Sequence, residues 1–365
     1  MFARLARIDW HRFLARPPLP SPAPRVLEGL REERILITGA GGSIGSALAR
    51  RLAALSPRGL VLLDFSESRL AALQRSLASP ATDLPATYIL GNVCDRRLLD
   101  NVFSIYGSSL VFHTAALKHV PLLENQPFAA VETNVFGTNT IASAGAGQGA
   151  RILLLSTDKA AQPASILGAT KRIAEHIVRS AEGTVLRLGN VLASSDSVAE
   201  VFARQLAEGN PLTVTDPAAR RYFLTIDEAV SLLLAASHAP SALFVPALTT
   251  QHFVADLARF IARELAPGRQ PRVEFSSRRP GDKERETLWS CSESAGPADT
   301  QGLMLVCSPY LEATPMQRGL AALRVALDAR DLPALLEYVN RLVPDYTPGA
   351  MLSALVAEYS ARVAS

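Results

Sequence analysis

An acid and an ammonium stand side by side in the middle of this chain, directly after a short apolar run. The run covers residues 152–156, and Asp158 and Lys159 follow it after Thr157. A carboxyl group and an amine that are neighbours at a strand end can flank adjacent carbon atoms as acid and base. We therefore predict acid–base chemistry at this strand end. A purely structural ion pair is the alternative.

Lysine is rare in this chain, which makes its positions informative. The sequence contains 37 basic residues, and only four of them are lysine. In an arginine-rich chain, a retained lysine indicates a need for a compact ammonium whose pKa responds to burial. The four are Lys118, Lys159, Lys171 and Lys283, and each lies in a segment that we interpret below as part of the site.

A glycine-rich segment upstream has the form of a dinucleotide-binding turn. Residues 38–45 read Thr-Gly-Ala-Gly-Gly-Ser-Ile-Gly, after a predicted strand and at the start of a predicted helix. The glycines let the backbone turn tightly, approach a diphosphate and pack the helix on the sheet. The N–H groups at the helix N-terminus are then free to bind the anion. A glycine turn without a ligand is the alternative.

Asp64 ends the second predicted strand, where its charge would select the dinucleotide. Its carboxylate can accept hydrogen bonds from the adenosine ribose and would repel a 2′-phosphate, which favours NAD over NADP. A surface turn with Ser66 is the alternative. Asn92 and Val93 follow the third strand, where adenine would lie, unless they form an ordinary turn. The predicted cofactor-binding residues are Gly39, Gly42, Ser43, Ile44, Gly45, Asp64, Ser66, Asn92, Val93, Ala115, Ala116 and Lys171.

Apolar strands alternate with helical patterns from residue 34 onward. This rhythm predicts an α/β fold, a Rossmann-like, doubly wound parallel sheet with a smaller C-terminal substrate-binding domain. A helix after the fifth strand should present Ile173, Ala174, Ile177, Val178 and Ala181 on one face. The predicted strands are 35–38, 60–64, 87–90, 110–113, 152–156, 185–188, 212–215, 243–245 and 273–276, and helices are predicted at 43–55, 197–207, 226–237 and 251–265.

Four segments divide the chain. Residues 1–33 form an N-terminal arm, 34–190 an NAD-binding domain, 191–295 a substrate-binding region and 296–365 a C-terminal extension. Within the extension, residues 296–310 are predicted to be an irregular connector and 316–362 mostly helical. The arm is rich in arginine and proline, and we expect it to pack on the domain or on a neighbouring subunit. A targeting peptide or a membrane-surface helix is the alternative.

Composition narrows the class of protein. Hydrophobic residues make up 48% of the 365 residues and charged residues 19%, which is typical of a globular protein. The net charge of +3 comes from balanced signs along the chain, which argues against a nucleic-acid partner. The three cysteines lack metal-ligand spacing, so we expect no metal site and a reducing, cytoplasmic compartment. No apolar run approaches the roughly 20 residues of a bilayer span.

Several motifs in one order resemble the extended short-chain dehydrogenases of polysaccharide biosynthesis, the UDP-N-acetylglucosamine 4,6-dehydratases. The resemblance covers about residues 34–287 and places Leu167 where most of the superfamily carries the proton-transferring tyrosine. The chain therefore resembles the branch that lacks this tyrosine. The motifs are residues 39–45, 115–121, 133–138, 156–160, 168–172, 187–191, 221–225 and 279–283, with a weaker match at 342–346.

The resemblance implies an NAD-dependent cycle on a UDP-sugar. Hydride leaves sugar C4, which makes the C5 proton acidic. Lys159 would remove that proton while Asp158 protonates the departing C6 hydroxyl, and hydride then returns to C6. Thr157 and Asp158 would also assist removal of the C4 hydroxyl proton, and Lys171 would hold the nicotinamide ribose. Lys159 needs a lowered pKa for this role, and we expect an enclosed site beside Lys171 to supply it.

The resemblance also implies the substrate contacts. Arg221 and Arg279 would bind the UDP diphosphate, since a guanidinium fork matches phosphate oxygens. Asn190 would contact the sugar or order its loop. Lys118 and His119 would line the sugar side, with a packed structural histidine as the alternative for His119.

Some residues depart from the family pattern, and two other functions stay open. Residues 193–197 carry Ala193 and Asp196 where relatives tend to have glycine, and Asn92 stands where an acid is usual. A 4-epimerase would use the same fold, although Leu167 argues against it. A non-catalytic NAD-binding scaffold would not need the retained acid–base groups. We also expect a homo-oligomer, with helices near 130–148 and 170–181 available to pair.

Overall fold

The computed structural model describes residues 2–78, 86–268, 272–279 and 281–364. Strands are numbered in chain order within these residues. They are Arg34–Thr38 (β1), Gly59–Asp64 (β2), Ala86–Leu90 (β3), Leu110–His113 (β4), Arg151–Thr157 (β5), Thr184–Leu188 (β6), Asn190–Val191 (β7), Leu212–Val214 (β8), Arg220–Arg221 (β9), Phe223–Leu224 (β10), Leu243–Pro246 (β11), His252–Phe253 (β12), Val273–Phe275 (β13), Ser294–Pro297 (β14) and Leu303–Cys307 (β15).

Helices alternate with these strands. They are Phe2–Leu5 (α1), His11–Leu14 (α2), Pro24–Arg31 (α3), Ser43–Ala53 (α4), Glu67–Leu77 (α5), Arg96–Tyr106 (α6), Val120–Glu124 (α7), Pro127–Ala130 (α8), Thr138–Ala146 (α9), Ile166–Ser180 (α10), Val198–Ala207 (α11), Ile226–Ala236 (α12), Val254–Leu265 (α13), Ala313–Asp328 (α14), Leu332–Leu342 (α15) and Ala350–Ala364 (α16), with a π-helix at Val131–Gly137 and a 3₁₀ turn at Asp158–Ala160. Across the described ranges, none of these helices is long and apolar enough to span a membrane.

One large sheet organises the described residues, in the order β14-β15-β11-β6-β5-β4-β1-β2-β3. The seven strands from β11 to β3 run parallel, whereas β15 and β14 are antiparallel additions at one edge. Strand order reverses between β1 and β4, which is where ligands bind in doubly wound sheets. The predicted fold class is confirmed.

Alternating side chains of the strands supply both faces of the sheet. In β1, Ile35 and Ile37 pack on one face with α4 and α12, while Leu36 packs on the other with α6, α9 and α10. All three are fully buried. Strands covered by helices on both faces lack polar alternation, which is why their sequence reads as continuous apolar runs.

Two segments differ from their prediction. The supposed irregular connector at 296–310 contains most of β14 and β15, which extend the main sheet beyond β11. Leu303 and Val306 of β15 bury their side chains, and pairing with β11 covers an edge that would otherwise be exposed. Gly296 and Pro297 are typical of turns, which is why the sequence predicted an irregular connector here. The helix α10 ends at Ser180, so Ala181 is exposed rather than part of the buried face.

The C-terminal helices cover the face that the sequence assigned to a subunit interface. Leu320 and Leu323 of α14 and Leu335 of α15 lie in one apolar cluster with Phe136 of the π-helix and Ile173 of α10. Every residue of α10 from 166 to 178 is buried within the single chain. The face of α10 is therefore not available to pair between subunits, because the same chain already covers it, whereas pairing through residues 130–148 stays a prediction.

The N-terminal arm packs on its own chain. Trp10 and Phe13 of the arm contact Phe260 of α13, and Phe13 also packs edge-on against Phe223 of β10, with ring centroids 5.7 Å apart. Arg16 then donates to both carboxylate oxygens of Glu228, the residue that closes the capping box of α12. The arm therefore holds β10 and α12, which flank the site described below.

We predict that Arg16→Met lowers the free energy of unfolding by about 2 kcal/mol, because the buried Glu228 carboxylate loses its charged partner. Urea unfolding followed by circular dichroism measures this change. Arg12→Met is the matched control in the same arm, since the Arg12–Glu264 pair is largely exposed on its arginine side and should contribute at most about 1 kcal/mol. Equal losses in the two variants would contradict a specific role for Arg16.

Candidate active site

A cleft of about 610 Å³ opens at the carboxyl ends of β1, β4, β5 and β6. It brings together most of the site residues predicted from the sequence. Those that line it are Gly39, Gly42, Ser43, Ile44, Gly45, Ala116, Lys118, His119, Thr157, Lys159, Lys171, Asn190, Arg221 and Arg279. Asp64, Ser66, Asn92, Val93, Ala115 and Asp158 lie behind or beside this lining.

The glycine turn at the end of β1 has the geometry that a dinucleotide diphosphate requires. Gly39 adopts φ +68°, and a Cβ there would lie 2.7 Å from the Ala115 backbone. A Cβ on Gly45 would lie 2.2 Å from the Gly39 carbonyl oxygen. Gly42 precedes α4 without a side-chain cap, so the first N–H groups of the helix are free to bind an anion in the cleft.

Asp64 braces the glycine turn from behind. Its carboxylate is buried, with Oδ2 accepting from the Gly41 N–H at 2.8 Å and Oδ1 accepting from the Ser66 N–H at 2.9 Å. Asp64 is therefore buried rather than at the surface, and its contact with a ribose stays a prediction. Phe65, which sequence reasoning missed, is 71% exposed and lines the cleft.

Asn92 and Val93 support the turn after β3. The Asn92 side chain accepts from the Cys94 N–H at 2.9 Å, which makes the segment a regular βα turn. Val93 is buried against Gly137, where an added Cβ would meet its side chain at 2.8 Å. A role for either residue beside adenine stays a prediction.

Three charged groups meet where β5 enters the cleft. The Lys159 ammonium lies 3.0 Å from Asp158 Oδ1 and 3.5 Å from Glu286 Oε1. Asn190 Oδ1 accepts from the same ammonium at 3.4 Å, and the Thr157 hydroxyl donates to Asp158 Oδ1 at 3.0 Å. Asp158 and Glu286 are almost completely buried. One ammonium therefore serves two desolvated carboxylates.

The protonation states follow from this arrangement. Burial raises the pKa of Asp158, and the negative charge of Glu286 adds to the rise, although Lys159 opposes it. Burial on its own would lower the pKa of Lys159, but attraction to Asp158 and Glu286 outweighs it, and the pKa lies above its ordinary value. The expectation of a lowered Lys159 pKa was wrong, because attraction to the adjacent Asp158 carboxylate, joined by Glu286, exceeds the effect of burial.

Lys171 lies deeper, on the first turns of α10. Its ammonium donates to the Leu155 carbonyl oxygen at 2.7 Å, and burial lowers the pKa of Lys171 to about 8. Leu167, one turn earlier, also lines the cleft. The resemblance assigns it to the position of the tyrosine that this branch lacks. Only aliphatic atoms are therefore presented there.

Beneath the cleft, a buried ion network fixes β5, β6 and α10. Arg187 is fully buried and donates to both Glu175 and Glu293, at 2.8–2.9 Å. Arg172 pairs with the same two carboxylates, and Ser156 donates to Glu175 at 2.5 Å. Removing any one partner would leave a buried charge without compensation. The network holds in place the strand end that carries Asp158 and Lys159.

A loop at residues 193–197 closes over the glycine turn. The Ser195 N–H donates to the Ser43 hydroxyl at 2.8 Å, and Lys118 donates to the Ser195 carbonyl oxygen. Ala193 and Asp196 both adopt φ +55°, in the left-handed region. A residue other than glycine costs backbone strain in this region. His119 lies 3.4 Å from Asp196, and both side chains are about half exposed.

The two arginines predicted to bind a diphosphate have different surroundings. Arg221 is buried and donates to the backbone carbonyls of Arg220, Lys283 and Glu284 at 2.8–2.9 Å, so its terminal nitrogens already hold a neighbouring segment. Arg279 is largely exposed at the cleft, 3.1 Å from Asp282. Arg279 is thus the freer of the two. Pro280, from the same motif, lies outside the described residues.

Glu286 is the residue of the charge cluster that sequence reasoning missed. It lies three residues after Lys283 and 3.5 Å from Lys159, and its Oε2 lies 2.8 Å from the Lys283 ammonium. The rarity of lysine had pointed to Lys283, but nothing in the sequence indicated which carboxylate it faces. Only the fold brings residues 159 and 286 together.

The strand order, the glycine turn and the charge cluster together define a Rossmann-fold protein of the extended short-chain dehydrogenase class. The X-ray structure of Pen from Bacillus thuringiensis shares this fold, with a TM-score of 0.71 and 26% identity over 78% of this chain and 90% of that one. DesIV from Streptomyces venezuelae, described as a dTDP-glucose 4,6-dehydratase, has a TM-score of 0.62 at 21% identity, covering 70% of this chain and 88% of that one.

The chain belongs to the polysaccharide biosynthesis protein family, whose model matches residues 35–308. The capsular polysaccharide biosynthesis protein CapD of Staphylococcus aureus is 33% identical over 79% of this chain and 50% of its own length. The probable polysaccharide biosynthesis protein EpsC of Bacillus subtilis is 35% identical over 77% of this chain and 49% of its own. The chain therefore spans about half the length of these two curated relatives.

A relative named for a specific activity is matched over more of its own length. UDP-glucose 4-epimerase of Rickettsia canadensis is 30% identical over 73% of this chain and 81% of that protein. The resemblance to the dehydrogenases of polysaccharide biosynthesis is confirmed as a family relationship.

We predict that Ala193→Gly raises the free energy of unfolding by about 1 kcal/mol, because glycine relieves the strain of a positive φ. Ala54→Gly is the matched control, since Ala54 is exposed and has φ −68°. There glycine only adds freedom to the unfolded chain and should lower stability by roughly 0.5–1 kcal/mol. Thermal and urea unfolding measure both variants. Destabilisation by Ala193→Gly would contradict the assigned backbone geometry.

Proposed function

We propose that this chain is an NAD-dependent nucleotide-sugar 4,6-dehydratase. Its substrate is UDP-N-acetylglucosamine or a close UDP-hexosamine, and its product is a 4-keto-6-deoxy sugar for surface polysaccharide or glycoconjugate synthesis. The observation that carries the proposal is the buried Asp158–Lys159 pair at a cleft where Leu167 replaces the proton-transferring phenol. A dehydration needs an acid and a base at adjacent carbons, and this pair supplies both.

The glycine turn and Asp64 support NAD as the cofactor. The turn leaves room for a diphosphate, and the buried Asp64 carboxylate would repel a 2′-phosphate next to the turn that it braces. A bound nicotinamide ring supplies a reversible hydride acceptor for sugar C4. Lys171 is the group placed to hold the adjoining ribose, because its ammonium lines the cleft beside Leu155.

The raised pKa of Lys159 is compatible with a base at C5. Transfer of one proton along the 3.0 Å hydrogen bond from Lys159 to Asp158 turns the ion pair into a carboxylic acid and an amine. The total charge of the cluster does not change, and burial disfavours the charged pair that is lost. The amine then takes the C5 proton while the Asp158 acid protonates the departing C6 hydroxyl, which leaves as water. Lys159 then delivers a proton that has exchanged with solvent to C5 as C6 is reduced.

Thr157 is placed to assist at the C4 hydroxyl. Its own hydroxyl lines the cleft and donates to Asp158 Oδ1, so a proton released at C4 can enter the pair through it. The pair already holds one proton, so one proton must pass to solvent before the Lys159 amine can act at C5. One proton returns from solvent to restore the ion pair after Asp158 has protonated the leaving water. No phenol is required in this sequence of transfers.

A 4-epimerase is the second candidate, because the Rickettsia canadensis relative is named as a UDP-glucose 4-epimerase. It would interconvert the C4 stereoisomers without losing water. Leu167 offers no group that exchanges a proton with the C4 hydroxyl, and an epimerase has no need of the Asp158–Lys159 pair at C5 and C6.

We predict that purified protein with NAD and UDP-N-acetylglucosamine forms a 4-keto-6-deoxy product in deuterated water. NMR should show deuterium at C5 and the former C4 hydrogen at C6. NADP in place of NAD should support little turnover. A C4 epimer without loss of water would favour the second candidate, and binding of NAD without turnover of any UDP-hexosamine would contradict enzyme function.

Variants of the pair test the assigned roles in the same assay. Asp158→Asn and Lys159→Met should each reduce turnover at least about 100-fold, the usual contribution of a general acid or base. NAD affinity, measured by calorimetry, should change little. Asp100→Asn is the matched control, because its carboxylate is half exposed, pairs with Arg96 and does not line the cleft. Near-wild-type turnover in either pair variant would contradict the proposed roles.

A further inference from the structure

Glu286 is a buried titratable group that the proposed reaction does not use. Its carboxylate is 1% exposed and does not line the main cleft. It lines a second, shallower opening with Tyr222 and Gln251, on the other side of the charge cluster. A sugar in the main cleft would therefore meet Lys159 before it could reach Glu286.

We propose that Glu286 is a positioning residue for the Asp158–Lys159 pair: its carboxylate fixes the Lys159 ammonium beside Asp158 and its charge sets the protonation balance of the pair. This inference rests on the proposed function for its catalytic meaning. The electrostatic coupling between Glu286 and Lys159 can be measured without any substrate.

The distances support a positioning role. Lys159 lies 3.5 Å from Glu286 Oε1 and 3.0 Å from Asp158 Oδ1, so the two carboxylates define where the ammonium can be. A four-carbon side chain with only one of these partners would have other rotamers available. The main chain of Glu286 is itself held, because the Gln251 side chain donates to its carbonyl oxygen.

The charges around the cluster determine in which direction Glu286 shifts the titration of the Asp158–Lys159 pair. Lys283 lies 2.8 Å from Glu286 Oε2, and Arg221 and the Tyr222 phenol also face the cluster. Glu286 favours a protonated Lys159 by attraction and a protonated Asp158 by repulsion between like charges. Both effects move proton loss from the pair to higher pH. Lys283 weakens them, because it neutralises part of the Glu286 charge.

A pair that works by internal proton transfer should give a bell-shaped dependence of turnover on pH. Activity falls at low pH when both groups bind protons and at high pH when neither does. Removal of the Glu286 charge should move both limbs to lower pH, by about 1 pH unit or more for a charge at this distance. A residue that only stabilises the fold would lower turnover without moving the limbs.

The scarcity of lysine makes the coupling directly observable. Protein labelled with ¹³C at the lysine ε-carbon should give four lysine signals, and Lys159→Met assigns one of them by its loss. In Glu286→Gln, the Lys159 signal should titrate at lower pH than in the wild type. In Lys283→Met it should titrate at higher pH, because the Glu286 charge is then uncompensated and a like charge has been removed.

Two further variants serve as controls. Glu284→Gln removes a carboxylate two residues away that is 42% exposed and pairs with Arg285, so the Lys159 titration should stay in place. Glu286→Asp keeps the charge and should restore the wild-type limbs of the pH profile even where turnover stays lower. If Glu286→Gln fails to fold, the opposite shift expected in Lys283→Met still tests the coupling.

The outcomes separate this inference from the proposed function. An unchanged Lys159 titration in folded Glu286→Gln, or a downward shift in Lys283→Met, would overturn the role of Glu286. The expected titration shifts without turnover of any UDP-hexosamine would support the coupling while refuting the dehydratase. If the Glu286→Gln variant turns over substrate and both limbs of its pH profile match those of the wild type, the dehydratase function is supported. Glu286 is then rejected as its positioning residue.

Discussion

The structure of the site depends on a single ammonium held between two buried carboxylates. Asp158 and Glu286 are both almost without solvent contact, and Lys159 is the nearest positive charge to Asp158. Desolvation alone would force such carboxylates to take up protons. Lys159 between them, together with Lys283 beside Glu286, keeps the cluster partly ionised. The Asp158–Lys159 pair is then one internal proton transfer away from an acid and a base.

Several elements of the fold hold that cluster in place. Strand β5 delivers Asp158 and Lys159 to the cleft, and the buried Arg187 network fixes β5 against β6 and α10. Arg221 ties β9 to the segment that carries Glu286. The N-terminal arm braces the neighbouring β10 and α12. Rigid elements of this kind are what a preorganised acid–base site requires.

Local sequence patterns predicted the sheet and half of the charge cluster, because strand periodicity and the glycine turn are properties of neighbouring residues. Strands β1 to β6 and the helix α4 lie within two residues of their predicted bounds. Glu286 was missed because its meeting with Lys159 depends on the fold over more than a hundred residues. For the same reason the sequence did not reveal that α14 and α15 cover α10, or that Gly296 and Pro297 belong to a strand of the main sheet.

A crystal structure of the protein with NAD and a UDP-hexosamine tests the central claim most directly. In this complex, the Lys159 ammonium should stay between Asp158 and Glu286 and lie within about 3.5 Å of sugar C5. The Asp158 carboxyl should then lie within hydrogen-bonding distance of the C6 hydroxyl. A complex in which Asp158 and Lys159 both point away from the sugar and the nicotinamide ring would contradict the account.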